Sequence, residues 1–155
     1  IDLAASPPTL ERWLQCVFAA ELIFSLKPLG SKVVKRVTVE DSPAPRSSRR
    51  LDIKLVTCTD EIFVELKLVS LEALNEASQA IALERRLSKQ QLGRLQCAQS
   101  GTYVRTVHQH ARSQVSKYLR TARLSARWRG KSTENLFGFA VTQVAEHFLV
   151  QKQSL

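Results

Sequence analysis

Methionine is absent from this 155-residue chain, and glycine and proline number only five each. No GxSxG, HExxH or phosphate-binding glycine loop occurs, which removes the acyl-transfer elbow, the zinc-peptidase helix and the nucleotide cradle from the readings. Cysteine numbers three (Cys16, Cys58, Cys97), widely spaced. Those residues make neither a disulfide framework nor a paired CxxC zinc pattern, and they favour a reducing, intracellular compartment, the nucleus included. No run of about 18 uncharged apolar residues exists, so no transmembrane helix is expected. No basic segment followed by an apolar core opens the chain, so no signal peptide is expected. Because it starts at Ile1 and lacks Met, we expect a single domain, residues 1–155, cut from a longer protein.

Acidic residues are also scarce: 14 Asp and Glu stand against 23 Lys and Arg, giving a net charge of +9 and a pI near 9.9. Such a domain attracts polyanions, because phosphate contacts release condensed counterions. An apolar fraction of 44% is enough for an ordinary globular core.

Thr9 reads as the N-cap of a first helix in which Leu10, Trp13, Leu14, Val17, Phe18 and Leu22 recur at helical spacing. That helix ends before Pro28. Val33 to Glu40 reads as a strand, and Asp41 to Arg50, with Pro43 and Pro45, as a loop. Arg50 to Thr57 and Glu61 to Leu68 alternate in polarity as strands do. Leu71 to about Gln99 has helical composition with a break near Gly93. A long basic helix is expected from Arg105 to Trp128, a strand over Phe137 to Thr142, and a terminal helical stretch. The order predicts an α/β or α+β sandwich around a small mixed sheet.

The two central strands carry the chemistry. Side chains alternate between faces, so Glu65 and Lys67 share one face and Val64, Leu66 and Leu68 the other. If Cys58-Thr59 is a two-residue hairpin loop, Thr57 pairs with Asp60 and Asp52 falls opposite Glu65, at about 4.5–5.5 Å between Cβ atoms. Two ionised carboxylates at that separation repel unless a cation sits between them. A hard divalent ion such as Mg²⁺ suits oxygen donors and phosphate substrates. Lys67 could orient or deprotonate a water, or neutralise charge on a phosphate. The other reading is a solvated face of an amphipathic hairpin.

Asp52 followed by Glu65-Leu66-Lys67 resembles the D…ExK signature of the PD-(D/E)XK nuclease superfamily, and the element order looks like its αβββαβ restriction-endonuclease-like core. Residues from about Leu71 to Gln99 would then be a helical insertion between the third strand and the second core helix. Gln114-Val115-Ser116-Lys117-Tyr118 is similar to the QxxxY motif of the RecB-like members. The position before Asp52 is Leu51 rather than the Pro of the family name. The resemblance implies a Mg²⁺- or Mn²⁺-dependent phosphodiesterase acting on DNA, RNA being open. Asp52 and Glu65 would be metal ligands, Lys67 the catalytic lysine, and Gln114 and Tyr118 supporting residues. It also implies a Glu from the first helix as a further ligand. Glu11 and Glu21 are the candidates, and Glu21 is preferred because the helical wheel sets it at the centre of the apolar stripe. The same fold that binds nucleic acid or a partner protein without cutting is the alternative, and effector proteins and mobile elements use modules resembling this one.

Arg105, Arg112, Arg120, Arg123 and Arg127 fall within about a third of the long helix's circumference, with Lys117 beside them. Arg49 and Arg50 add a second basic cluster just before Asp52. Arginine forks suit phosphate oxygens, so these residues are the expected nucleic-acid contacts, a solvated helix face being the other reading. No recognition motif accompanies them, so no sequence preference is inferred. His108, His110 and His147 are expected at the surface.

Overall fold

In the computed structural model, described over residues 15–21, 34–41, 43–44, 50–130, 132 and 135–155, β-branched runs and one long amphipathic segment set the architecture. Val34–Asp41 (β1), Leu51–Thr57 (β2) and Glu61–Val69 (β3) form an antiparallel meander, continued by Leu136–Val144 (β4) and His147–Ser154 (β5). The result is one mixed five-stranded sheet in the order β1-β2-β3-β4-β5. β3 and β4 are parallel, which obliges the chain to cross the sheet between them. That crossing carries a 3-10 turn, Leu71–Ala73, then Glu76–Ala82 (α2), Lys89–Gly93 (α3) and Val104–Trp128 (α4). Residues 15–21 are helical and are called α1.

The sheet is covered on both faces. Ala111, Val115, Tyr118, Leu119 and Ala122 of α4 bury themselves with Phe63 and Ala140 on one side. Val104, near the start of α4, packs with Val69 and Val144 further along the same strands. On the opposite face Phe18 and Ala19 of α1 meet Ile53, Val64, Leu66 and Val141. Alternation along β3 therefore sends Phe63, Glu65, Lys67 and Val69 toward α4, and Val64 and Leu66 toward α1. Gly138 lets α4 approach closely: a Cβ there would stand 2.6 Å from Val115 Cγ1 and 2.8 Å from the Phe63 carbonyl oxygen.

Two expectations from composition are corrected. The terminal segment is a strand rather than a helix. Its Gln, Lys and Leu content is helix-compatible, but pairing along β4 from Val144↔His147 to Phe137↔Ser154 overrides it. Only Leu149 of β5 is buried, and exposed Phe148 and Val150 flank it, so the apolar run does not alternate and the strand does not announce itself. Residues 71–99 hold short pieces rather than a helix with one break. Asn75 caps α2 by accepting from Ser78 N, and Ser88 and Gln91 close a capping box on α3, so each piece starts at its own cap.

Candidate active site

The β2–β3 hairpin closes as its alternation requires. Thr57 N donates to Asp60 O at 2.9 Å, leaving Cys58-Thr59 as the loop. Neither loop residue has a positive φ, so the turn is not of the glycine-rich primed type that hairpins favour. The Thr57 hydroxyl substitutes for that chemistry by accepting from Thr59 N at 3.2 Å and Asp60 N at 2.8 Å. From there the register runs Val56↔Glu61 to Ile53↔Val64.

Beyond Ile53 the backbone ladder between these strands stops, and Asp52 takes over with its side chain. Its Oδ2 accepts from Leu66 N at 2.6 Å, and its Oδ1 accepts from Gln15 Nε2 of α1 at 2.6 Å. Asp52 and Glu65 are 9% and 3% exposed, so both carboxyl groups lie nearly out of water. Lys67 Nζ stands 3.2 Å from Glu65 Oε1 and keeps part of its side chain in solvent. Asp52 and the Glu65–Lys67 pair therefore lie at the same end of the hairpin along the strands, Asp52 held to α1 through Gln15 and Glu65 on the face turned to α4. Leu51, next to Asp52, packs with Phe63 and Tyr118, so the phenol ring of α4 belongs to the apolar cluster on that face of the sheet. Gln114, one turn earlier, is half-buried.

Helical phase on α4 divides its polar residues. At about 100° per residue, Arg105, Arg112 and Arg123 coincide within about 20°, while Gln114 lies roughly 160° round from Arg112. Arg105, Lys117, Arg120, Arg123 and Arg127 are exposed and Arg112 is half-buried. The arginine stripe thus borders β5, where Gln109 and Arg112 share grooves with Gln151 and Gln153, and not the flank carrying Gln114 and Tyr118. Arg50 is exposed at the start of β2. Arg49 and Glu11 lie outside the described residues.

Glu21 is exposed, as is Val17, whereas Gln15, Phe18 and Ala19 form the face of α1 turned to the sheet. The helical wheel set the stripe one position out of phase, because it had no means of weighting which apolar residues meet Ile53. Gln15 is the residue that sequence reasoning passed over. It is 4% exposed, and its Oε1 is buried with no hydrogen-bond donor among the described residues.

His108 also departs from expectation. It is half-buried and its Nδ1 lies 2.8 Å from the hydroxyl of Thr142, a fully buried residue that pairs with Lys67 across the parallel ladder. Burial first, then the positive charges of Arg112 and Lys89, hold its pKa below the usual imidazole value. His147 likewise turns inward, with Nε2 2.9 Å from Ala82 O, while His110 is exposed.

Two buried carboxylates on adjoining strands and an amide oxygen lacking a donor are all oxygen ligands, the type Mg²⁺ and Mn²⁺ take. Among the described residues no three His, Cys, Asp or Glu come together as a group that could hold a metal ion. A scan against protein-family models, curated proteins and solved structures finds no match to the chain.

Proposed function

We propose that this chain is a metal-dependent nuclease domain of the PD-(D/E)XK type, of the RecB-like QxxxY variety, hydrolysing phosphodiester bonds in DNA. One observation carries the reading. Asp52 and Glu65 are each buried near the point where the β2–β3 ladder ends, and Lys67, two residues on along the same face, is paired with Glu65. Burying two carboxylates costs several kcal/mol per ion in desolvation, on the order a stable fold avoids unless the charges are used. The order α1, three antiparallel strands, helices, then a strand parallel to β3 supports the same αβββαβ core, with residues 71–103 as the insertion and β5 as an addition.

Asp52 and Glu65 would hold Mg²⁺ or Mn²⁺, which when bound supplies a water of lowered pKa and a counter-charge for the phosphate. Asp52 is oriented for this from two sides, by Leu66 N and by the Gln15 amide, so its carboxylate does not rotate freely. Lys67 keeps its ammonium beside Glu65 and partly in solvent, where an incoming phosphate oxygen or a water proton can reach it. Tyr118, packed with Leu51 and Phe63, and the half-buried Gln114 one turn before it would take a positioning rather than a reacting role.

A second reading, a nuclease fold that binds nucleic acid without cutting, draws on the arginine stripe, which faces β5 and not the carboxylates. Cleavage of plasmid and linear DNA with Mg²⁺ or Mn²⁺ separates the two. Wild type is expected to cut, and Asp52→Asn and Lys67→Ala to lose at least about 100-fold, the scale of losing one acid–base group. Undiminished cutting in both variants would overturn the active-site assignment. No cutting by wild type would leave the binding module.

A further inference from the structure

From Arg85 to Thr133 the chain contains neither Asp nor Glu, and β5 contains none either. The fold lays these two segments side by side. Between α3, α4 and β5 runs a groove of about 620 Å³ whose walls include Lys89, Arg105, Arg112 and Lys152. It shares Gln109 and Arg112 with a second groove of about 330 Å³, bordered by Lys117 and Arg120. Together they form one channel along the outer flank of α4.

The cations in it are held but not neutralised. Among the described residues no carboxylate forms an ion pair with Arg105, Arg112, Lys117, Arg120 or Lys152. Arg112 Nη1 donates to Gln109 Oε1 at 3.0 Å, while its buried Nε has no acceptor among the described residues. The Arg105 guanidinium stacks 4.8 Å from the Tyr103 ring, and the Lys152 ammonium sits 4.3 Å from the Phe137 ring. Rings fix the direction of these charges without cancelling them.

We infer that the α4–β5 channel is a binding site for the sugar-phosphate backbone of nucleic acid, separate from the Asp52–Glu65–Lys67 cluster on the other flank of α4. Arg105 to Arg120 spans fifteen residues, or about 22 Å of helix, long enough to follow several successive phosphates of one strand. Guanidinium forks take phosphate oxygens bidentately, and the hydroxyl of Ser113 adds a neutral donor at the channel wall. The pKa of His108 is lowered first by burial and then by Arg112 on α4 and Lys89 on α3, so positive charge from two elements reaches the groove it lines. The inference takes nucleic acid as the ligand class from the proposed function, but it does not need the protein to cut. A strand lying in this channel is gripped away from the carboxylates, so holding and cleavage are separate acts of the domain.

The test is equilibrium binding of fluorescein-labelled DNA of about 20 nucleotides, single-stranded and duplex, in EDTA so that nothing is cleaved, across a salt series. The double variant Arg105→Ala/Arg120→Ala removes exposed cations at the two ends of the channel. It is expected to weaken binding about 10-fold or more near 0.1 M salt and to flatten the log–log salt slope by about 2. Arg36→Ala, an exposed cation on β1, serves as the comparison and is expected to stay within about twofold, since a single remote charge is screened at that salt. Circular dichroism of each variant identifies any that misfolds, and Arg105→Gln/Arg120→Gln then repeats the measurement. Equal losses in the channel and Arg36 variants would overturn the site in favour of diffuse charge. Displacement by polyglutamate as effective as by unlabelled DNA at equal charge would overturn nucleic acid in favour of an acidic protein. Binding unchanged in the channel variant would remove this site and leave the nuclease reading, which cleavage tests, standing.

Discussion

Gln15 divides its amide between two tasks. Its Nε2 holds Asp52 Oδ1 at 2.6 Å, and its buried Oε1 is left with no donor among the described residues. A hydrogen bond to a charged group contributes about 1.5–3 kcal/mol, so Gln15→Ala should destabilise the fold by that order. Gln15→Glu is the more informative change. Without metal it sets a third carboxylate against Asp52 and removes the donor, so the melting temperature should fall. With Mn²⁺ the added oxygen ligand should return more stability than wild type gains, by mass action on the folded state. Differential scanning fluorimetry with and without Mn²⁺ reads both, and an identical Mn²⁺ gain in wild type and Gln15→Glu would rule Gln15 out of the cation's surroundings. His108 supports a pH prediction. Burial, then Arg112 and Lys89, lower its folded pKa, whereas the unfolded imidazole takes its proton near about pH 6.5. Between those two pKa values the unfolded state binds more protons, so stability rises with pH and is fully present above about 6.5. Falling pH removes it until the folded pKa is passed. Melting temperature should drop more for wild type than for His108→Asn between about pH 7.5 and about pH 5.5; parallel curves would place the pH dependence elsewhere.

At the scale of the elements, the contact between α4 and the sheet depends on Gly138. A methyl group there meets Val115 Cγ1 at 2.6 Å and the Phe63 carbonyl oxygen at 2.8 Å, and the second of these is backbone on the strand that carries Glu65. Gly138→Ala should therefore cost about 1–3 kcal/mol, read as a lowered urea midpoint at unchanged m. Adding Val115→Ala should recover only part of that loss, because the carbonyl contact remains. Full recovery in the double variant would show the strands yielding freely. The same elements show what a sequence discloses. The hairpin register was legible because strands of alternating polarity leave few ways to bury Ile53, Val64 and Leu66 together, and Asp60 follows Thr57 closely enough to close the turn. The long helix was legible because its buried positions, from Val104 to Ala126, recur at helical spacing. β5 was not, since an edge strand with one buried residue carries no period. Nor were Gln15 and His108 legible as functional neighbours: their partners, Asp52 and Thr142, are 37 and 34 residues away, brought close only by sheet pairing and helix docking. The phase of α1 was lost for a related reason. A stripe of Leu, Val and Phe marks a helix as amphipathic, but which edge of the stripe faces inward is decided by the strand it meets.

Across the whole molecule, charge is distributed against stability. The span from Arg85 to Thr133 holds 12 of the 23 Lys and Arg and none of the 14 acids, and α4 runs through the middle of it. Like charges on one helix flank repel in the folded state and are spread apart in the unfolded chain, so folding gathers a repulsion that binding a polyanion would relieve. Salt acts on this directly, because the Debye length shrinks from about 10 Å at 0.1 M to shorter than the spacing between turns. Stability should therefore increase with NaCl, opposite in sign to nucleic-acid binding, which salt weakens. Raising NaCl from about 0.05 M to about 0.5 M should lift the melting temperature by about 2–4 °C, the shift that about 1 kcal/mol produces at this size. Sodium chloride is the appropriate salt, since sulfate strengthens apolar burial as well and would confuse the two effects. The triple variant Arg120→Gln/Arg123→Gln/Arg127→Gln should begin higher at low salt and gain less, because its three cations no longer add to the repulsion. A melting temperature that falls with NaCl would mean that attractive pairs outweigh the repulsion, and the stripe would then be an internally compensated surface with no stored demand for an anionic partner.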